Sequence, residues 1–271
     1  MFEMFAIPFV WKALVISSLT GAFFAFVGVY VVLRRIVFAS IALSQAAACG
    51  FAFGLLTGFN LHLSSLAFTL FAVIIFSFHA EEKRITAESF TAFIYALFSA
   101  LSVIFLAKSS GGEGALVNIF SGNILTVSNA EIYVTAALFC ASLLAHIVFY
   151  RKFIFVFFDP ETAKTQGLNT SFWNFLFYLI LGVMLSASIK TTGVLLSFAS
   201  LAIPAMTAML LFERIKTIFA VSVLIALVSA FAGVYFSFRW DLPGGTTNAA
   251  TMCLVFVPAA LTAGIRKNLA K

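Results

Sequence analysis

Residues 171–212 read SFWNFLFYLILGVMLSASIKTTGVLLSFASLAIPAMTAMLLF, and Lys190 is the only charged side chain among them. About 20 apolar residues carry a helix across the hydrocarbon core of a bilayer. The stretch is therefore long enough for two passes, 171–189 and 192–212, with Lys190 and Thr191 marking the gap. One discontinuous helix over the same residues is the alternative. A closed barrel also satisfies every backbone group in lipid, but barrels read as short strands of alternating polarity. These runs are continuously apolar, so helices are expected.

The rest of the chain follows the same pattern. Of its 271 residues, 63% are hydrophobic and 10% are charged. A soluble domain needs roughly a quarter charged residues to cover its surface, so most of this surface faces something other than water. Further apolar runs cover 8–33, 37–58, 62–78, 89–107, 131–150, 217–238 and 246–265. The expected fold class is an all-α integral membrane protein, a polytopic bundle of about nine transmembrane helices (eight if the gap at Lys190 is not a turn). It makes one transmembrane permease domain over 1–271, with no room for a separate soluble domain.

The charges set the orientation. The net charge of +6 would suggest nucleic acid in a soluble protein; here Lys and Arg sit at the ends of apolar runs. With the N-terminus outside, Arg34, Arg35, Lys83, Arg84, Arg151, Lys152, Lys164, Arg214, Lys216, Arg266, Lys267 and Lys271 fall inside. Outside are Lys12, Lys108, Lys190 and Arg239. Positive charge is expected inside, which places the C-terminus in the cytoplasm. The apolar stretch from Ile7 to Leu33 is longer than a signal-peptide core and is followed, not preceded, by its basic pair. It reads as a retained first span.

Two connections are longer than turns. The outer one, 108–130, starts with Ser109-Ser110-Gly111-Gly112 and continues into a semi-apolar stretch, 115–127, which suggests a short interfacial or re-entrant helix. The inner one, 151–170, contains Asp159-Pro160-Glu161-Thr162-Ala163-Lys164-Thr165-Gln166-Gly167. Asp before Pro is an N-cap with Pro at the first helical position, and Gly167 suits the left-handed residue that stops a helix. A single cytoplasmic helix of about two turns is expected there. It is either a lever for a partner, since a helix joined to two spans can pass a partner's closure on to them, or an ordinary connection.

No catalytic constellation is visible. His62, His79 and His146 have no His or Cys at ligand spacing, and His79 and His146 are expected at cytoplasmic helix ends with their tips in water. Cys49, Cys140 and Cys253 are far apart and inside apolar runs, which reads as buried small residues and not as a disulfide or zinc framework. There is no Walker-type phosphate loop, so this chain holds no cofactor of its own, and any ATP and Mg²⁺ chemistry belongs to a partner subunit. Polar groups inside the bilayer are costly and informative. Ser44 and Gln45 lie mid-way along the second span, where Ile41, Gln45 and Cys49 share a face at four-residue spacing. Gln45 is either a pathway residue or a hydrogen-bonding glue between helices. Gly50, Gly54 and Gly58 form a small-residue face suited to close helix packing.

Five stretches resemble the membrane subunits of ABC importers for zinc, manganese and iron. They are Arg34-Arg35 with the span that follows, Phe120–Ser128, Phe158–Gly167, Ile189–Leu196 running on to Ile203-Pro204-Ala205, and Asp241–Thr246. They occur in family order over nearly the whole chain. The resemblance implies paired permeases (homodimer or pseudo-dimer) around a central pathway, two cytoplasmic ATP-binding subunits, and an extracytoplasmic solute-binding protein. It implies that Asp159, Glu161, Ala163 and Gly167 belong to the ATPase-coupling segment, and it sets the chain in a bacterial inner membrane.

One position pair departs from the pattern. Metal permeases typically carry Asp and, four residues later, His in the second span; here the matching residues are Ile41 and Gln45. Neither Ile nor a neutral amide replaces those ligands well. The candidate pathway residues are thus Ile41, Ser44, Gln45 and Cys49. A divalent metal is the first expectation for the substrate, and a chelate or small organic molecule the second. A secondary transporter would place ionisable groups mid-membrane, and a membrane enzyme would need a polar cluster; neither feature is present in the sequence.

Overall fold

Membrane-compatible sequence folds here into helices that cap, stop and break where short-range chemistry dictates. The computed structural model describes residues 8–79, 86–109, 112–122 and 127–269. Lys83, Arg84, Lys271, Ser110, Gly111 and residues 123–126 of one family-like stretch lie outside the described residues. The helices are α1 (Pro8–Leu33), α2 (Val37–Thr57), α3 (Leu61–His79), α4 (Ala87–Lys108), α5 (Gly112–Ser121) and α6 (Asn129–Val148). They continue as α7 (Tyr150–Phe158), α8 (Pro160–Thr165), α9 (Thr170–Leu211), α10 (Ile215–Trp240) and α11 (Gly244–Leu269).

Among the described residues, 7 helices are long and apolar enough to cross a membrane, against about nine spans expected. Two elements make the difference. The apolar part of α3 is short, Leu61–Ser77. The expected sixth and seventh spans are two helices that follow each other directly as α9, 42 residues in all, with non-helical backbone at Gly193 (φ 72°, ψ 173°) between them. At 1.5 Å per residue this run is roughly twice the thickness of a hydrocarbon core. Only glycine adopts that backbone conformation at low cost, so the break falls two residues after Thr191.

Start and stop signals account for the remaining boundaries. Thr86 caps α4 through the Ser89 amide, with Glu88 in the first turn. Ser128 and Glu131 form a reciprocal box ahead of α6: the Ser128 amide donates to Glu131 Oε2 at 2.8 Å and the Glu131 amide to Ser128 Oγ at 3.2 Å. The expected short outer helix is α5, which begins at Gly112, earlier than the semi-apolar stretch. Helix α7 was not expected at all; it follows α6 with a single residue, Phe149, between them.

The chain packs as two compact units. One comprises Met1–Val32, Ser121–Val134 and Thr191–Lys271; the other comprises Leu33–Phe120 and Thr135–Lys190. In the first, Ala13, Ile16, Ala25, Val127, Leu196, Ala199, Ala226 and Met252 make a buried core. Ser222 Oγ donates to the Ala25 carbonyl at 2.9 Å, and Gly28 lies so close to the Leu201 carbonyl that no Cβ fits. In the second unit, Ser65 Oγ donates to the Ala47 carbonyl at 2.9 Å, and Gly50 packs on the backbone of Ser64 and Ser65. Gly54 continues that face against Leu61 and Ser64, but Gly58 does not; it is the left-handed stop of α2, with open space where a Cβ would go.

Large apolar side chains remain exposed on both units, among them Phe71, Phe93, Leu144, Leu224 and Leu254. Surfaces of this kind suit acyl chains, not water. Cys140 and Cys253 are exposed too, so only Cys49 matches the expected buried reading. His146 departs from expectation in the opposite sense. It is fully buried, stacked on Phe153 with centroids 5.2 Å apart and edge-on to Phe177 at 6.0 Å. Its Nδ1 lies 2.8 Å from the Ser142 carbonyl.

Candidate functional site

The inner connection carries the clearest local design. Asp159 Oδ1 accepts from the Thr162 amide at 3.0 Å and Pro160 opens α8. At the other end the Leu168 amide donates to the Ala163 carbonyl and the Gly167 amide to the Lys164 carbonyl, both at 3.0 Å. With Gly167 at φ 82°, this is the paired 6→1 and 5→2 closure of a helix stop. Both ends of a six-residue helix are thus fixed by side-chain and backbone bonds instead of by length. Hydrogen bonds from Thr162, through side chain and amide, hold the Asp159 carboxyl below its ordinary value.

Exposure divides the segment. Asp159, Glu161 and Gly167 are exposed, whereas Ala163 is fully buried. Ala163 therefore seats α8 on the body of its unit and does not face outward with the other three. The preceding helix, α7, carries an aromatic cluster. Phe153 is buried among His146, Trp173, Phe157 and Phe177, with ring centroids 5.2–6.0 Å away. Lys152 lies over Trp173 at 5.0 Å, and Arg34 lies over Phe157 at 4.3 Å. Sequence reading missed this cluster; its signal is the run Phe153, Phe155, Phe157 and Phe158, dense in rings for a connection facing water.

Through Arg34 the segment reaches the turn that starts α2, and α2 carries the candidate pathway residues. Ser44, Gln45 and Cys49 are 0–1% exposed. Ser44 Oγ donates to the Ser40 carbonyl at 2.9 Å, and the Cys49 thiol faces the Ser102 hydroxyl. Gln45 Oε1 has no hydrogen-bond partner among the described residues, which is costly in a low-dielectric interior. Ile41 stands apart from these three. It is partly exposed and lines an open groove with Phe38, Thr91, Ala92 and Tyr95. Among the described residues no group of three or more His, Cys, Asp and Glu could hold a metal ion.

Three of the family-like stretches converge in the other unit. A Cβ on Gly122 (φ 71°) would strike the backbone of Thr191 and Thr192. One on Gly245 would strike the Ser121 carbonyl and the Thr192 carbonyl. The end of α5, the break in α9 and the start of α11 therefore meet backbone to backbone, where only glycine fits. Thr192 Oγ1 and Ser197 Oγ, 2.8 Å apart, close the same corner.

A helical bundle with lipid-suited surfaces, a broken long helix and a capped exposed helix between two spans defines a multi-pass membrane permease. The chain belongs to the ABC 3 transport family, whose model matches residues 6–263. It is 30% identical over 259 residues to the manganese transport system membrane protein MntC of Listeria monocytogenes, covering 94% of this chain and 91% of the relative. It is 25% identical over 248 residues to the chelated iron transport system membrane protein YfeC of Yersinia pestis, covering 92% and 84%. Its fold matches PsaBC from Streptococcus pneumoniae, solved in complex with Fab, with a TM-score of 0.85, 23% sequence identity and coverage of 95% and 93%. The chain is accordingly a multi-pass inner-membrane permease of an ABC importer.

Proposed function

We propose that this permease passes manganese or iron ions inward, driven by ATP hydrolysis in separate cytoplasmic subunits. Its relatives' names supply the metals. The observation that carries the mechanism is the fixed, exposed α8 seated through α7 on Arg34, directly ahead of α2. Asp159, Glu161 and Gly167 form the face that meets the ATPase, and Ala163 anchors it. Closure of two ATPase subunits moves α8 and α7 together, and the Arg34–Phe157 contact passes that movement to α2.

Ile41, Ser44, Gln45 and Cys49 are the candidate pathway positions. A side-chain amide and a single hydroxyl hold a divalent ion weakly compared with carboxylate and imidazole, so the ion passes with little residence and selectivity rests on the solute-binding protein that delivers it. Two copies of the permease enclose the pathway, which opens alternately to each side. A chelated metal is the second reading, favoured by the Ile41 and Gln45 pair.

Coexpression with the ATP-binding subunit tests the docking assignment. Glu161→Lys and Gly167→Arg are expected to reduce co-purification of that subunit while the permease remains folded. Full co-purification with normal transport in both variants would exclude α8 as the docking element.

A further inference from the structure

A polar layer is buried between α1, α10 and α11, within one compact unit. Contacts along α1 and α10 set their register. Phe9 meets Phe238 with ring centroids 6.0 Å apart, and Leu14 packs with Val234. A Cβ on Gly21 would sit 3.8 Å from Ala226 Cβ, and Ser222 Oγ donates to the Ala25 carbonyl. The two helices are therefore antiparallel. Ser18 shares a face with Leu14, Gly21 and Ala25 at helical spacing, which sets it opposite Ser229 on the face of α10 that carries Ser222, Ala226 and Gly233. Helix α11 closes the third side. The Thr251 hydroxyl donates to the Ser229 carbonyl at 3.1 Å, and a Cβ on Gly233 would lie 2.6 Å from Asn248 Cα. Ser18, Ser229 and Asn248 thus fall within about one helical turn of one another.

Among the described residues, Ser18 Oγ, Ser229 Oγ and both amide atoms of Asn248 are buried with no hydrogen-bond partner. Asn248 as a whole is 0% exposed. A buried donor or acceptor left unsatisfied is costly, and here an amide that can both donate and accept is idle beside two idle hydroxyls. Gly21, Ala226 and Ala230, the neighbours along the seam, carry no side chain beyond a methyl group, so those positions send nothing long into the layer. The guest that fits must donate and accept at once. Water does both. An alkali cation would satisfy the oxygens but not the Asn248 N–H groups, and none of the residues in the layer is acidic to offset its charge.

We propose that Asn248, Ser18 and Ser229 hold about one or two ordered water molecules, each making about three hydrogen bonds, and that this water joins α1, α10 and α11. Asn248 lies three residues beyond Gly245, whose backbone meets Ser121 and Thr192. The water therefore fastens α11 beside the corner where α9 breaks.

Radiolytic footprinting of the detergent-purified full chain in H₂¹⁸O, read by mass spectrometry, tests this, because hydroxyl radicals formed from ordered water label the side chains next to it. Met252, one turn beyond Asn248 and fully buried, is the reporter; Met184, also buried and in the other unit, is the control. Met252 is expected to take up ¹⁸O several-fold more than Met184, and Asn248→Leu to remove the difference. Ser18→Ala and Ser229→Ala, smaller changes that report even where Asn248→Leu fails to fold, are each expected to reduce it. Each single variant is also expected to lower the melting temperature, with Ser18→Ala and Ser229→Ala together costing less than their sum because they share the water. Labelling of Met252 no greater than that of Met184, or unchanged in the variants, would overturn the proposal. So would a higher melting temperature in Asn248→Leu, which would mean that the amide is simply unsatisfied. A melting temperature that rises when sodium replaces choline at constant ionic strength would also overturn it, by assigning the layer to a cation.

Discussion

The Arg34 guanidinium carbon lies 4.3 Å from the centre of the Phe157 ring. Arg34 stands in the turn between α1 and α2, and Phe157 is the penultimate residue of α7, just before the Asp159 cap of α8. The contact joins the exposed helix to the span that carries Ile41, Ser44, Gln45 and Cys49. A cation over an aromatic face contributes about 0.5–2 kcal/mol, with the larger values where water is excluded. Phe157→Leu keeps apolar bulk and removes the ring. The expected result is normal co-purification of the ATP-binding subunit but less transport per ATP hydrolysed. Parallel loss of docking and transport would show that Phe157 supports α8 itself and not the joint.

Gly167 separates backbone from surface effects. Its φ of 82° disfavours any Cβ, yet nothing lies within 4 Å of where one would sit. Gly167→Ala is expected to cost about 1 kcal/mol in the left-handed conformation and to lower thermal stability slightly while leaving ATPase association intact. Gly167→Arg adds bulk on an exposed face and is expected to block association. Equal behaviour of the two variants in a pull-down would mean the position matters only for folding.

The α8 cap is sensitive to acid. Hydrogen bonds from Thr162 depress the folded-state pKa of Asp159, so the ionised carboxylate is favoured in the folded state. The stabilisation is present above the ordinary carboxylate range near pH 4 and fades as pH falls through the lowered value. Hydrogen exchange of the peptide spanning α8, corrected for intrinsic rates at each pH, should show protection falling in that acid window. Asp159→Asn retains the acceptor and should flatten the profile; an unchanged acid loss in that variant would assign the effect to another group.

How much of this was legible in the sequence follows from the range of each interaction. The α8 ends are written in neighbouring residues, Asp159-Pro160 and Gly167, and those boundaries were readable. The four-residue spacing of Gly50, Gly54 and Gly58 was readable, but spacing does not separate packing from stopping, and Gly58 serves the second purpose. Helix α7 was hidden because Arg151 and Lys152 ended the span at Tyr150, so the rings that follow read as part of the inner connection, and no side-chain cap marks the start of the helix. Burial of His146 and Ala163, the pairing of Arg34 with Phe157, and the meeting of Gly122, Gly193 and Gly245 near Thr192 all depend on residues distant in sequence.

Close backbone packing makes a graded stability prediction. A Cβ on Gly50 would meet the Ser64 carbonyl oxygen and the Ser65 Cα, whereas one on Gly54 has its nearest neighbours at 3.1 Å, two of them side-chain atoms. Overpacking of this kind costs about 1–3 kcal/mol. Gly50→Ala is expected to lower the melting temperature of the detergent-purified chain clearly more than Gly54→Ala. The reverse order would contradict the α2–α3 packing.

The pathway positions can be given the ligands they lack. Ile41 and Gln45 stand one turn apart on α2, with Gln45 Oε1 unpartnered among the described residues. Ile41→Asp with Gln45→His is expected to introduce divalent-ion binding, read as a rise in melting temperature with added manganese that the parent chain does not show. No difference between the two chains would mean the positions do not converge on a shared ion.

Uptake of radioactive manganese and iron into proteoliposomes tests the central claim most directly, using the permease, its ATP-binding subunit and the solute-binding protein. The account predicts ATP-dependent uptake of at least one of these ions, lost with Glu161→Lys. A coupled ATPase that moves neither ion, free or chelated, would contradict the metal assignment, and uptake without any ATP-binding subunit would contradict the ATP-driven mechanism.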